Sequence, residues 1–177
     1  VVSMADIEKI EREPIPSPVN YKTSGYVNHT GINLLPGGNS TMVRFQMINA
    51  YRFSAKFSAG LGVGYVPYND PLGLIPIFVE GRYQFLEANT TPFVFFRTGY
   101  GISILADDDL QTENHQGGLV VNPGIGVVFY TDGGLGWSFT AGLNIDHATY
   151  DQPGWGTQTV QTKLVYQRLQ LGISLSF

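Results

Sequence analysis

The sequence predicts an all-β fold: an eight-stranded antiparallel up-and-down transmembrane β-barrel with a short N-terminal extension. Three observations predict it. In the final stretch, residues 164–177, Leu169, Leu171, Ile173, Leu175 and Phe177 fall on one face, and Arg168, Gln170, Gly172, Ser174 and Ser176 fall on the other. Strict alternation means a strand with two unlike faces. The small, polar face cannot fill a core, so it reads as the inside. The large apolar face then has to meet lipid. The second observation is composition. Charged residues make up 14% of the chain, against roughly 25% in an average soluble protein, while aromatics reach 13% and there are 22 glycines. The third is punctuation: turn signals divide the chain after residue 24 into eight strand-length runs.

The same totals exclude several classes. No run approaches the roughly 18 uninterrupted apolar residues of a membrane helix. A net charge of −4 and the lack of a basic patch argue against nucleic acid. With no cysteine there is no disulfide, thiol nucleophile or Cys-based metal site. At 177 residues the chain suits one barrel domain, residues 25–177, preceded by an extension, residues 1–24.

In the extension, Ser3 and Asp6 can cap a short helix with Met4, Ile7 and Ile10 as a thin stripe. Pro14, Pro16 and Pro18 then favour an extended run. This reads as a loose periplasmic tail; the alternative is a segment that docks on a partner or covers the barrel mouth. The eight predicted strands are roughly 25–35, 41–53, 56–68, 74–86, 92–105, 118–131, 136–150 and 164–177. Asp132-Gly133-Gly134 is a tight hairpin signal. Pro76 and Pro123 fall inside strands, where each removes a ladder donor, so a bulge or strand end is expected near each. Short links follow the second, fourth and sixth strands, and long loops, 106–116 and 151–162, follow the fifth and seventh. That alternation suits a bacterial outer-membrane barrel, with short periplasmic turns, both termini periplasmic and the long loops outside.

Parity also sorts the charges. Arg44, Arg82, Arg97 and Arg168 point inward with Glu80 and Asp146. An arginine facing lipid at mid-depth would cost about 2–4 kcal/mol. Four arginines against two carboxylates leave two surplus positive charges, to be met by water or by an acid from a loop or the extension. Asp146 and Arg168, on neighbouring strands, are a candidate pair. An interior ion-pair network that holds a small barrel together is preferred to an anion-selective pore, because eight strands leave an interior just wide enough for side chains. Tyr51, Tyr65, Tyr83, Phe85, Phe129 and Trp137 lie near strand ends, as an aromatic girdle requires.

Ala50-Tyr51-Arg52-Phe53 running into residues 57–65, Pro92-Phe93-Val94 with Gly99-Tyr100, and residues 122–127 resemble the small eight-stranded outer-membrane barrels of the porin-like or OmpX-like kind. The resemblance covers residues 25–177. It implies that Gln170, Gly172, Leu175 and Phe177 form the terminal signal read by the barrel-assembly machinery. It implies location and fold, and little about activity.

No catalytic, cofactor or metal site emerges. His29, His115 and His147 have no metal spacing. His147-Ala148-Thr149 is similar to the His-x-Ser of outer-membrane lipid hydrolases, but Thr149 stands where the nucleophile would be. Asp107-Asp108-Asp109 with Glu113 lacks the spaced order of a calcium loop and reads as a solvated acidic loop. Trp155 reads as the anchor of its own glycine-rich loop. The expected function is a non-enzymatic outer-membrane barrel, structural or a narrow pore. The alternative is an accessory subunit of a larger outer-membrane complex for secretion, uptake or barrel assembly. Its partners would be outer-membrane lipid, the assembly machinery during insertion and, through residues 1–24, other envelope proteins. No cofactor and no nucleic acid is expected.

Overall fold

A computed structural model describes residues 19–38, 40–67, 72–105, 113–153 and 159–177. Alternating sequence produces strands throughout: β1 Gly25–Pro36, β2 Thr41–Arg52, β3 Phe57–Pro67, β4 Leu72–Gln84, β5 Thr90–Leu105, β6 Glu113–Gln116, β7 Gly118–Tyr130, β8 Gly136–Pro153 and β9 Thr159–Ser176. Every pairing is antiparallel. The wall runs β1-β2-β3-β4-β5-β7-β8-β9, and β9 returns to β1 to close an eight-stranded barrel. Among the described residues, short β6 pairs with the far end of β8. At the closing seam, Asn28 and Phe177 exchange two backbone hydrogen bonds, 2.8 and 3.0 Å.

The wall is inverted relative to a soluble protein. Ile32, Phe45, Leu61, Val79, Ile125, Phe139 and Leu169 point outward and are exposed, whereas Arg44, Glu80, Arg97, Asn122 and Asp146 are buried inside. An apolar exterior around a polar interior is what hydrocarbon solvent demands, so the barrel is a transmembrane one. Polar groups on the outer face satisfy one another: Asn28 donates to Asn49 at 2.8 Å, and Thr30 donates to Asn28 at 2.7 Å. A concavity of about 660 Å3 lined by Ile32, Phe45, Met47, Val63 and Ile173 belongs to this outer face, not to the lumen.

The short connections 53–56, 85–89 and 131–135 share one rim with the strand ends at Gly25 and Ser176. The Asp132-Gly133-Gly134 hairpin closes there, with Gly134 at φ 81° and its N–H donating to Thr131. Tyr51, Tyr83, Phe85, Phe129 and Trp137 are exposed toward this rim, joined by Tyr26, Phe53 and Phe57, while Tyr65 sits toward the opposite one.

Three expectations differ from the structure. The loops 106–116 and 151–162 are partly strand, because β6 forms and β8–β9 stay in register out to Pro153 opposite Thr159. Backbone pairing needs no alternating side chains, so a polar hairpin can run on beyond the apolar band. The third difference concerns Pro76 and Pro123, which produce neither a bulge nor a strand end. On one side of each the ladder merely skips: β3–β4 runs from Val63 opposite Ile77 to Val66 opposite Leu74, and β7–β8 from Val121 opposite Ile145 to Gly124 opposite Gly142. The register is unchanged across both gaps.

At Pro123 the gap is repaired by a side chain. The flanking register sets Pro123 opposite Leu143. Pro123 has no N–H, and the Asn122 amide donates to the Leu143 carbonyl at 2.6 Å in its place. Asn122→Val should therefore destabilise the barrel in detergent by about 2–4 kcal/mol, since it orphans buried polar groups. Adding Pro123→Ala should recover part of the loss by restoring a backbone donor. Equal unfolding of single and double variants would show that the amide is not the substitute donor. The closed wall should also make the protein heat-modifiable: unboiled and boiled samples should differ in SDS-gel mobility, and identical mobility would argue against the closed sheet.

Candidate functional site

The lumen is the place where chemistry-bearing side chains converge, and it is layered. Toward the loop rim, Leu35, Met42, Val66, Leu74 and Val120 pack together, all buried. These inward aliphatic residues were not legible as such, since the inner face reads from parity as small and polar. They fall at the ends of β1 to β4 and β7, where the alternation has few remaining repeats to be counted on.

Next come two ionic clusters. In the first, Arg44 on β2 reaches across the lumen to Asp146 on β8 at 3.1 Å and donates to Asn144 at 2.7 Å. Asn144 in turn donates to Asp146 at 2.7 Å. In the second, Glu80 on β4 is shared: Arg97 binds one oxygen at 2.7 Å, and Arg82 binds the other at 3.1 Å. Arg97 also donates to Asn122 at 2.9 Å, so the residue that repairs the Pro123 gap anchors the ionic cluster too. The Arg97 guanidinium lies 4.1 Å from the Phe95 ring centre and 5.8 Å from that of Phe78. Those rings occupy space left by glycine: a Cβ at Gly62 would overlap Phe78, and one at Gly124 would overlap Phe95.

Arg82 also lies 4.5 Å from the Phe93 ring centre and 3.3 Å from His29. His29 meets the Ser176 hydroxyl at 2.6 Å. His29 is a buried member of this polar column, on β1 beside the seam. His147 instead meets the Leu119 carbonyl at 3.0 Å. Asp107-Asp108-Asp109 and Trp155 lie outside the described residues, as do the side chains of Glu113, His115 and Thr149. Among the described residues no group of three or more acidic, His or Cys side chains could hold a metal.

The register places the candidate pair Asp146 and Arg168 as diagonal neighbours rather than directly opposite. Arg168 faces Asn144, Asp146 faces Tyr166, and the Asp146 carboxylate is taken across the lumen by Arg44. Arg168 donates to the carbonyls of Leu35 at 3.3 Å and Ser40 at 2.8 Å, tying the β1–β2 connection to the wall. Parity says which face a residue is on, but neither the register nor the partner across the lumen. Of the residues assigned to the terminal signal, Gln170 is buried and donates to Asn33 at 3.0 Å, Gly172 faces Asn33 and Thr140, and Phe177 is exposed on the outer wall beside Leu175.

Sequence reasoning missed Arg52, which has the same parity as Arg44 and closes the column at the turn rim. It donates to the Lys22 carbonyl at 2.7 Å and to the Tyr130 hydroxyl at 2.6 Å, and it lies 4.6 Å from the Tyr21 ring centre. Tyr21 stacks on Tyr130 at 4.1 Å. Asn20 binds Asn89 at 2.7 Å and Asp132 at 3.0 Å, on two different turns. Residues 19–24 thus form a strap across the mouth, turned into β1 at Gly25, whose φ is 111°. Residues 1–18, with the predicted capped helix and proline run, lie outside the described residues.

Arg44→Ala removes the cross-lumen partner of a fully buried carboxylate. It should lower stability in detergent by about 3–5 kcal/mol, and Arg44→Met with Asp146→Leu should recover most of that loss, because both charges leave together. Additive losses in this double-variant cycle would show that the pair does not act as a unit.

No family model matches the chain, and no curated protein matches it. Solved structures do. The crystal structure of the outer membrane protein OprG from Pseudomonas aeruginosa superposes with a TM-score of 0.67 at 8% identity, covering 90% of this chain and 98% of that one. Neisserial surface protein A gives 0.58 at 12% identity, covering 85% and 94%. The N-terminal barrel domain of Pseudomonas aeruginosa OprF gives 0.51 at 14%, covering 88% and 98%. At such low identity the likeness concerns architecture, and the chain has the fold of the small eight-stranded outer-membrane β-barrels.

Proposed function

We propose that the chain is a non-enzymatic outer-membrane barrel with a closed lumen, whose work is done by its wall and rims and not by diffusion through its interior. One observation carries this reading: among the described residues, side chains occupy the lumen from the aliphatic layer to the aromatic mouth. The aliphatic layer, the two ionic clusters and the aromatic mouth follow one another, and their members are nearly all buried. The guanidinium groups of Arg44, Arg82 and Arg97 are paired with carboxylates rather than lining a wet passage. The outer-membrane placement is supported by the inverted wall and by the likeness to outer-membrane barrels. In this reading the short-turn rim, which carries the strap, is periplasmic.

A second reading, an accessory subunit of a larger envelope assembly, is favoured by the strap. Its hydrogen bonds to two turns fix the point at which the preceding chain leaves the rim. A partner there would meet a defined surface. Gentle extraction and sizing separate the two: migration as a lone barrel favours the first reading, a stable larger species the second.

Planar-bilayer recording tests closure. The protein should give no steady unitary conductance, and Glu80→Gln, which leaves Arg82 and Arg97 without their shared carboxylate, should introduce one or raise its frequency at least several-fold. Steady channels in the unaltered protein, with ion selectivity changed by Arg97→Ala, would replace the closed-lumen reading with a pore.

A further inference from the structure

The turn-rim mouth contains a concavity of about 330 Å3 whose lining brings together Tyr21, Lys22, Arg52, Tyr130, Ser176 and Phe177. Two buried groups there lack the partner their chemistry asks for. Arg52 is 4% exposed, yet its hydrogen bonds go to a backbone carbonyl and a phenol, both neutral. Among the described residues no carboxylate pairs with it. The Tyr21 hydroxyl, on a side chain 6% exposed, has no hydrogen-bond partner among the described residues. A buried guanidinium is best satisfied by a planar anion that takes two of its N–H groups. A buried hydroxyl without a partner is a cost that an incoming acceptor would remove.

The charge of the column points the same way. Among the described residues, the buried arginines Arg44, Arg52, Arg82 and Arg97 are accompanied by two buried carboxylates, Glu80 and Asp146, and those two are held by Arg44, Arg82 and Arg97. The surplus is two positive charges: one is shared by Arg82 and Arg97 around Glu80, and the other sits at Arg52, which no carboxylate of the described residues contacts. Burial, and to a lesser degree Tyr130, pushes the Tyr21 phenol above its ordinary value, so it remains an O–H donor near neutral pH. Lys22 places a second cation on the exposed side of the concavity.

We propose that this mouth pocket is an anion site that takes one carboxylate, held by the Arg52 guanidinium and the Tyr21 hydroxyl and closed over by the Lys22 ammonium. The volume is at the small end for a ligand pocket, which suits a single carboxylate on a short body. Val27, buried at the rim end of β1, supplies an apolar flank for that body. Such a group comes either from a small organic acid or from an acidic side chain of a protein at the rim.

The test uses the full chain in detergent micelles at low ionic strength. Succinate and the blocked peptide acetyl-Glu-Gly-Glu-amide are titrated side by side by calorimetry, with chloride as the reference anion. Saturable one-to-one binding of either probe is expected. Tyr21→Phe keeps the ring stack and should weaken binding about tenfold, the loss of one charge-assisted hydrogen bond. Arg52→Gln should abolish it. Lys56→Gln, which alters an exposed cation on the same rim, should leave it unchanged. Preference for succinate assigns the site to a free acid, and preference for the peptide assigns it to a partner's side chain. No saturable binding, or binding that Tyr21→Phe leaves intact while Lys56→Gln weakens it, overturns the proposal. Should Arg52→Gln fail to fold, Tyr21→Phe decides alone.

Discussion

Everything in this molecule follows from closing a sheet in a medium that offers no hydrogen bonds. In hydrocarbon an open strand edge leaves a row of unsatisfied N–H and C=O groups, each costing several kcal/mol. The return of β9 to β1 removes that edge. Closure then fixes what the interior must be. Eight strands enclose a space only as wide as side chains, and the outer face takes the large apolar residues. The middle of the inside is left to glycine, polar residues, charge and the aromatic rings packed on it, and charge in so narrow a space must be paired. The shared carboxylate of Glu80 and the cross-lumen Arg44–Asp146 pair answer that demand.

The same demand explains why the prolines are tolerated. Inside a soluble sheet Pro123 would be expected at an edge or a bulge. A closed wall has no edge to offer, and a bulge would shift the register of every outward residue beyond it. The wall keeps its register and lets Asn122 supply the missing donor. Asn122 can do so because its side chain points into the lumen, where its oxygen is free to accept from Arg97. A defect in the ladder and a member of the ionic cluster are thereby one residue, so wall and interior are energetically coupled.

These relations explain how far the sequence could be read. Period-2 alternation separates lipid from lumen without any knowledge of the fold, and it sets Arg44, Glu80, Arg82, Arg97 and Asp146 on the inner face, where the structure has them. The strand order follows from short turns between neighbours. Partners across the lumen are a different matter. Arg44 and Asp146 are 102 residues apart and on strands that do not pair, so nothing local to either announces the other. Arg168 and Asp146 share a face on paired strands, but parity does not give their register, which sets them diagonally, two residues out of step. Arg52 carried a usable signal, its parity with Arg44, but it sits in a run of rim aromatics, Tyr51 and Phe53, that draws attention to the outer face. The strap had no periodicity to reveal it. Val19 and Tyr21 find their places only once Tyr130, Phe93 and Phe95 have been brought together by the barrel.

The layered lumen separates two roles that are easily merged. The ionic clusters lie under the aliphatic layer on one side and the aromatic mouth on the other, so every arginine in them is engaged by a carboxylate and shut away from a solute. Arg52 is at the edge of that arrangement. Its guanidinium lies by the Tyr21 and Tyr130 rings and against neutral oxygens, contacts that suit a flat, weakly hydrated cation and would serve an ammonium poorly. These contacts make its burial tolerable without neutralising it. A charge held in this way remains available to an anion arriving from the rim, whereas Arg97, engaged by Glu80, Asn122 and two aromatic rings, does not. Strap and arginine also depend on each other, since the Lys22 carbonyl and the Tyr21 ring that hold Arg52 are both contributed by residues 19–24. The interior therefore determines whether the barrel stands, and the mouth is where its chemistry meets the compartment beyond the turns.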